Sequence, residues 1–201
     1  MNVLVIGAGG HAKVVIDAIE CAGDTVAGVV DECGRTGELC GYSIISPGQI
    51  PPADGFVIAI GGNRLRRERF DHYVDAGLVP VAVVHPAAVI GQGVTIGAGS
   101  VVFAGVVVNR DAAVGDNAIL NTGCTVDHDC IVGAHVHIAP GVNVCGGVRI
   151  GEGTLVGVGS AVVPGASIGA WSTIGAGAAV IDDIPDGVTV VGVPACEPSR
   201  L

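Results

Sequence analysis

A six-residue period of aliphatic side chains runs through the second half of the chain. Stepping by six from Ile90 to Val180, all sixteen positions are Ile, Leu or Val, and eight of them are followed by glycine. A period of six matches neither the 3.6-residue repeat of a helix nor the two-residue repeat of a strand. It therefore predicts a short strand and a turn in every six residues, with three such sides closing one coil of 18 residues.

The residues four places after these aliphatic positions are mostly small, among them Ser100, Cys124 and Cys130. We expect both sets to line the inside of a narrow parallel coil, with about five turns and a length of roughly 25 Å at ~4.8 Å per turn. In that position the two cysteines are predicted to be core filler rather than nucleophiles or metal ligands.

One outward column of this coil is more apolar than the other two. An exposed aliphatic row is typical of a surface that another chain covers, so we expect a cyclic homo-oligomer. His128 and His137 are half a coil apart, and they are predicted to join one site only across a subunit boundary. The apolar column comprises Val101, Ile119, His137, Leu155 and Thr173.

The N-terminal part has a different pattern, in which buried strands alternate with helices. Apolar runs at 3–6, 25–31, 56–61 and 79–84 predict four strands, and the segments 7–23 and 63–77 predict helices. This alternation favours a small parallel sheet of the Rossmann-like α/β type. We expect an α/β domain at 1–84, a coiled domain at 85–190 and a tail at 191–201.

A glycine-rich turn joins the first predicted strand to the first helix. The run GAGGHA at 7–12 fits the G-x-G-x-x-A pattern, and Asp31 follows where a ribose-binding acid is expected. Free N–H groups at the helix N-terminus favour a phosphate ligand. Because one mononucleotide half is present rather than two, a nucleotide-sugar fits better than NAD. The alternative is a tight turn without a ligand, and the arginines at 64, 66, 67 and 69 form either a solvated helix face or a diphosphate contact.

Charge and cysteine usage limit the partners. The formal net charge of −10 opposes binding to nucleic acid or to an anionic membrane, and we expect neither as a partner. The start of the chain has no basic leader, and the seven cysteines include no C-x-x-C pair. Both features favour a cytoplasmic protein with free thiols.

Polar residues are concentrated between positions 121 and 137 of the otherwise apolar coil. A histidine beside a carboxylate is the usual general base near neutral pH, which makes His128 the candidate. One coil above it stands Gly146, whose missing side chain leaves a slot and whose N–H is predicted to donate to an oxyanion. The three histidines of the segment fall on different sides of the coil, so no metal site is expected. The segment's functional candidates are Asn121, Asp127, His128, Asp129 and His137, and His135 is predicted to be a surface residue.

The run N-T-G-C-T-V-D-H-D-C at 121–130 resembles the N-T-x-x-x-[VI]-x-H-[ED]-C run of bacterial nucleotide-sugar N-acetyltransferases. These belong with the sialic acid O-acetyltransferase family of hexapeptide-repeat acyltransferases. The GAGGHA turn, the pair at 31–32 and the IGGN run at 60–63 are similar as well. The resemblance implies a Rossmann-like domain followed by a left-handed parallel β-helix.

The resemblance also implies the activity, which is transfer of an acetyl group from acetyl-CoA to the amino group of a nucleotide-linked amino-sugar in surface-glycan biosynthesis, by a homotrimer. By resemblance His128 is the general base, Asp129 supports it, Asn121 places the sugar, and His137 meets acetyl-CoA. The register of the repeat, rather than the resemblance, places Gly146 beside the thioester as well. The implied nucleotide-sugar site consists of Gly9, Gly10, His11, Asp31, Glu32 and Asn63. Three alternatives stay open: O-acetylation of sialic acid or a related sugar, a γ-class carbonic anhydrase, and a non-catalytic scaffold that binds sugar nucleotides.

Overall fold

The computed structural model describes residues 1–198, so the last three residues of the predicted tail lie outside the described part. The N-terminal domain contains β1 (Asn2–Ile6), α1 (Gly10–Cys21), β2 (Thr25–Val30), β3 (Glu38–Leu39), β4 (Tyr42–Ile45), a 3₁₀ turn (Pro47–Gln49), β5 (Gly55–Ile58) and α2 (Asn63–Asp75). Its sheet has the order β3-β4-β2-β1-β5 and is parallel apart from the β3–β4 pair. Among residues 1–198, no helix combines the length and the apolar content that crossing a membrane would require.

Two features of this sheet differ from the prediction. The β3–β4 hairpin was not predicted, and it extends the sheet at the β2 edge. The predicted fourth strand at 79–84 contributes a single bridge to β5, between Pro80 and Phe56. The pairing ends there because the next N–H in line, that of Val83, donates to Ser100 O of the solenoid at 2.9 Å. The chain then crosses to the other domain, where Val83–Val84 pairs with Val101–Val102.

The C-terminal domain is a parallel β-solenoid with three flat faces of seven, six and five strands, which confirms the predicted repeat. The face against which the N-terminal domain packs, called the docked face below, contains Val83–Val84, Val101–Val102, Ile119–Leu120, His137–Ile138, Leu155–Val156, Thr173–Ile174 and Thr189–Val190. The Val89 face contains Val89–Ile90, Val107–Val108, Thr125–Val126, Asn143–Val144, Ala161–Val162 and Ala179–Val180. The Thr95 face contains Thr95–Ile96, Ala113–Val114, Ile131–Val132, Arg149–Ile150 and Ser167–Ile168.

The repeat closes because the chain turns sharply between faces. The residue three places after an aliphatic position has a positive φ in coil after coil, and glycine fills most of these positions. Glycine reaches this left-handed region without steric cost. The aliphatic positions from Val102 to Val180 are at most 3% exposed and form one continuous core. The inward placement predicted from the period is therefore confirmed.

The docked face corrects the expectation about its apolar column. Val101 and Ile119 are buried within one chain, in the same hydrophobic cluster as Ala12 and Ile16 of α1. The chain's own N-terminal domain covers these two residues, whereas His137, Leu155 and Thr173 of the same column are half-buried. Val101 and Ile119 are therefore no evidence for an oligomer, although their apolar character did indicate a covered surface.

Arg66 of α2 fastens the two domains together. Its side chain is 0% exposed, and its guanidinium donates to carbonyl oxygens of both domains. The distances are 3.0 Å to Asn117 O, 2.6 Å to His135 O and 3.2 Å to Gly61 O. Desolvation lowers the pKa of Arg66 to about 9, so the group remains charged at neutral pH. One of the four arginines is thus neither a solvated residue nor a phosphate contact.

His135 is also part of this domain contact, and its predicted surface location is wrong. The residue is 7% exposed, and its Nδ1 lies 2.9 Å from Asn117 Nδ2. Its ring packs edge-on against Phe70 of α2, with 5.7 Å between ring centroids. The sequence of the solenoid alone gave no sign of this neighbour, because α2 precedes it by more than sixty residues.

Candidate active site

A cavity of about 390 Å³ opens where β1 turns into α1. The structure brings together here five of the six residues predicted to bind the nucleotide-sugar. Those that line the cavity are Gly9, Gly10, His11, Asp31 and Glu32. Backbone N–H groups of the first helical turn have no intrahelical partner, which suits a phosphate group. The cavity therefore has the place and the donors that the glycine-rich run predicted.

The two acids of the cavity are held by neighbours. Asp31 is 7% exposed, and its Oδ1 accepts the backbone N–H groups of Cys33 and Arg35 at 2.9 Å each. Glu32 pairs with Arg69 and accepts the hydroxyl of Tyr73 at 3.0 Å. These bonds leave Asp31 Oδ2 as the less committed oxygen, and they fix both carboxylates before a ligand arrives.

Asn63 is not placed with the other predicted nucleotide-sugar residues. Its Nδ2 donates to Gly153 O of the solenoid at 2.9 Å, and its Oδ1 accepts Arg66 Nη1 at 2.8 Å. Both ends of the amide are thus used in the domain contact. The structure gives Asn63 a role in docking, and nothing places it against the cavity.

Asn121 and His137 form a second group beneath the cavity. Asn121 Nδ2 lies 3.1 Å from His137 Nε2, and the His137 ring is 6.3 Å from that of His11, centroid to centroid. Burial, followed by the charge of Arg66, lowers the pKa of both His11 and His137 to about 4. Both rings are therefore neutral at physiological pH. Asn121 is joined to His137 rather than to His128.

His128 stands at the corner between the Val89 face and the Thr95 face. Its side chain is 61% exposed, and its Nδ1 lies 2.8 Å from Asp129 Oδ2. This bond orients the ring and leaves Nε2 free. Asp129 has a φ of 59°, at a position in the repeat that glycine usually fills. Asp111, at the equivalent position of the coil below, has the same φ of 60°, so this conformation belongs to the corner itself.

Asp127 holds the backbone of the same corner. Its Oδ1 accepts the N–H of His128 and the Nδ2 of Asn109 from the coil below, both at 2.8 Å. The pKa of His128 is raised, first by the hydrogen bond to Asp129 and then by the charge of Asp127. A more basic imidazole is a stronger proton acceptor once it is neutral.

The slot predicted at Gly146 is present. A Cβ added there would lie 2.6 Å from both Nε2 and Cε1 of His128, so the ring occupies the space that a side chain would need. Within residues 1–198, the Gly146 N–H meets no hydrogen-bond acceptor. His128, Asp129 and Gly146 thus form one group with a base, its support and a free donor.

The two groups lie on opposite sides of the solenoid. His137 begins a strand of the docked face, whereas His128 stands at the corner between the other two faces. In a three-sided prism that corner is the edge opposite the docked face. A single chain therefore keeps its cavity, with His11 and His137, away from its own His128.

Asp17, Cys21 and His85 have ligand atoms within 4.8 Å of one another and are the candidates for a metal. His85 Nδ1 accepts the N–H of Ala87 at 3.0 Å, so a neutral ring carries its proton on Nε2. A ring with Nδ1 as acceptor does not offer Nε2 as a free lone pair. Binding a metal through Nε2 would therefore give up the hydrogen bond from Ala87.

Two family descriptions match separate parts of the chain. Residues 2–73 match the PglD N-terminal domain, and residues 87–110 and 147–181 match the hexapeptide repeat of succinyl-transferase. The first match spans the domain with the cavity, and the second lies on the solenoid. No curated protein matches the sequence.

Solved structures match the whole chain. A histidine mutant of perosamine N-acetyltransferase from Caulobacter crescentus, in complex with CoA and GDP-perosamine, is 40% identical with a TM-score of 0.95, over 100% of this chain and 98% of that one. The acetyltransferase domain of PglB from Neisseria gonorrhoeae, in complex with acetyl coenzyme A, is 37% identical with a TM-score of 0.91, over 98% of each chain. WeeI from Acinetobacter baumannii is 28% identical with a TM-score of 0.92, over 98% of this chain and 100% of that one. The chain belongs to the nucleotide-sugar acetyltransferases that join a PglD-type N-terminal domain to a hexapeptide-repeat solenoid.

Proposed function

We propose that the protein transfers the acetyl group of acetyl-CoA to the amino group of a nucleotide-linked amino-sugar. The observation that carries this proposal is the His128 corner, where Asp129 holds Nδ1 and Nε2 faces the slot at Gly146. The relatives were solved with CoA, acetyl coenzyme A and GDP-perosamine, which supports the same pair of substrates here.

The chemistry follows from the free atoms of the corner. Nε2 of His128 removes a proton as the sugar nitrogen attacks the thioester carbon, and the Gly146 N–H stabilises the oxyanion that forms. When the tetrahedral intermediate collapses, the C–S bond breaks and CoA leaves as a thiolate, which takes up the proton. No bond to the enzyme is formed. The two protein groups that act in this transfer are Nε2 of His128 and the N–H of Gly146.

Release of free CoA thiol, measured with a panel of nucleotide-linked amino-sugars, tests the proposal. His128→Ala should lower kcat by about 100-fold or more, the usual effect of a lost general base. His72→Ala, an exposed histidine on α2, is the matched control and should retain full activity. Thiol release with a hydroxyl sugar alone would favour O-acetylation, and sugar-nucleotide binding without any thiol release would favour a scaffold.

We propose in addition that the active form is a homotrimer whose sites are shared between protomers. The opposite placement of the cavity and His128 supports this, because the His128 of a neighbouring protomer can reach the cavity that lies far from the chain's own His128. In such a site His137 and the cavity of one protomer approach acetyl-CoA and the sugar, and the partner copy provides the base. Residues 1–84 then provide the nucleotide-sugar cavity, and residues 85–190 provide both His137 beside it and the base at the opposite edge.

Co-expression of two inactive variants tests the shared site. His128→Ala removes the base, and Gly9→Trp fills the cavity of the other protomer, since Gly9 has open space around it. Mixed oligomers should recover activity, because some sites combine an intact cavity with an intact base. Loss of activity in every mixture, or a monomeric mass in solution, would contradict the proposal.

We further propose a cytoplasmic location and a role in surface-glycan biosynthesis. All seven cysteines are free, which suits a reducing compartment. Retention of activity in a cytoplasmic fraction, together with loss of the acetylated sugar from the cell surface on deletion, would be the expected result.

A further inference from the structure

Buried hydroxyl and thiol groups inside the solenoid donate hydrogen bonds to carbonyls of the next coil. Ser100, Thr154 and Ser160 reach the carbonyl oxygen fifteen residues ahead at 2.8, 2.6 and 2.9 Å. Cys130 Sγ makes the same contact with the carbonyl oxygen of Cys145 at 3.1 Å. Each donor stands four places after an aliphatic position, and each acceptor stands one place after the aliphatic position one full coil of 18 residues later, so the contact is a recurring feature of this fold.

This contact fixes the direction of the next N–H group. The peptide unit is planar and trans, so a carbonyl drawn toward the core leaves the N–H of the following residue pointing outward. Two other corners show what the N–H at this repeat position binds; the Gly169 carbonyl before Ala170 accepts the Thr154 hydroxyl, whereas within residues 1–198 no side chain donates to the Gly97 carbonyl before Ala98. Ala98 N–H donates to Asp116 Oδ1 at 2.8 Å, and Ala170 N–H donates to Asp186 Oδ1 at 2.6 Å. At this position of the repeat, the N–H is therefore a donor to negatively charged oxygen.

At the His128 corner the equivalent peptide joins Cys145 to Gly146. We propose that Cys130 is a positioning residue for the transfer reaction, whose thiol holds the Cys145 carbonyl inward and so directs the Gly146 N–H toward the developing oxyanion. This inference rests on the proposed function. The N–H groups of Ala98 and Ala170 donate to aspartates, whereas no carboxylate of residues 1–198 accepts the Gly146 N–H. The Gly146 N–H is therefore free to donate to the substrate.

Cys124 provides the comparison that separates positioning from packing. It is 0% exposed like Cys130, and it stands at the same position of the repeat one coil-side earlier. Within the described part of the chain, its thiol donates to no carbonyl of the next coil. Burial raises the pKa of both thiols, so Cys130 keeps the proton that its hydrogen bond needs. The two cysteines thus share their surroundings and differ in the hydrogen bond.

Three variants test the proposal by acetyl-transfer kinetics. Cys130→Ala should lower kcat about fivefold, the factor expected for one net hydrogen bond, with the KM for acetyl-CoA unchanged. Cys130→Ser keeps a donor and should stay within twofold of wild type, and Cys124→Ala, the core-volume control, should do the same. Alanine and serine occur at this repeat position in other coils, as at Ala118 and Ser100, so these variants are compatible with the fold. Full activity of Cys130→Ala, or an equal loss in Cys124→Ala, would overturn the inference.

A second measurement does not depend on turnover. In ¹⁵N NMR spectra, Cys130→Ala should shift the Gly146 amide resonance and Cys124→Ala should leave it in place. If wild type releases no thiol with any amino-sugar, the proposed function fails, whereas this amide comparison still decides whether the Cys130 thiol directs the peptide. An unshifted Gly146 resonance in Cys130→Ala would refute the positioning role by itself.

Discussion

Gly146→Ala isolates the slot beside the general base. The added Cβ would lie 2.6 Å from His128 Nε2 and Cε1, whereas ordinary contact begins at 3.4 Å, so the ring must retreat by about 0.8 Å. That displacement breaks the 2.8 Å bond to Asp129 or swings the ring out of the slot. Misplacing a reacting group by about 1 Å can cost ~100-fold, so we expect kcat to fall by about 10- to 100-fold.

Stability should respond very differently. The His128 side chain is 61% exposed and can move into solvent, and alanine already stands at this repeat position at Ala98 and Ala170. We therefore expect the free energy of unfolding in urea to change by less than about 1 kcal/mol. Thiol release gives kcat, and the same substitution in a His128→Ala background should cause no further loss. Wild-type kcat in Gly146→Ala would refute the role assigned to the slot.

Three further predictions concern charge and docking. The hydrogen bond that the His128 ring donates to Asp129 raises the pKa of His128, so the acid limb of kcat/KM should have its midpoint above 6.5, and Asp129→Asn should move that midpoint down in a pH series of thiol-release rates. Burial lowers the pKa of His11 and His137 from 6.5 to about 4, so the unfolded chain binds their protons first as pH falls. Stability should be complete above pH 6.5 and decline by about 2–3 kcal/mol per ring toward pH 4, and a constant urea midpoint over that range would contradict it. Arg66→Met leaves buried carbonyls unpaired and should lower the free energy of unfolding by about 3 kcal/mol, measured in urea at pH 7.

The solenoid was predictable from sequence because its signal is repeated. Each six-residue side of a coil needs an inward aliphatic residue and a corner residue that tolerates positive φ. The same two requirements therefore recur every six residues between Ile90 and Val180. The register of that period also placed Gly146 above His128. Stacking 18 residues apart is a local rule, and local rules can be counted along the chain.

Domain docking was not predictable in the same way, since it joins residues without a shared period. Arg66, Phe70 and Tyr73 are the buried residues of α2, at the spacing of one helical stripe, and that spacing was the available signal that Arg66 faces inward. The charge of Arg66 concealed it, because runs of arginine usually mark a solvated face. The contact of Asn63 with Gly153 was likewise not predictable, because the two residues are ninety positions apart and share no period.

The apolar column of the docked face suggested an oligomer because most of its residues are aliphatic. The column does not show whether a second chain or the same chain covers it. A row of aliphatic residues reports only that some surface covers it, and here α1 does so within the chain. What favours a shared site is instead the separation that docking imposes. By fixing the cavity on one face, the Arg66 contacts hold the nucleotide-sugar side of the molecule opposite the His128 edge. In the proposed shared site a neighbouring protomer brings these two sides together, and the domain docking that buries part of the apolar column is what separates them within one chain.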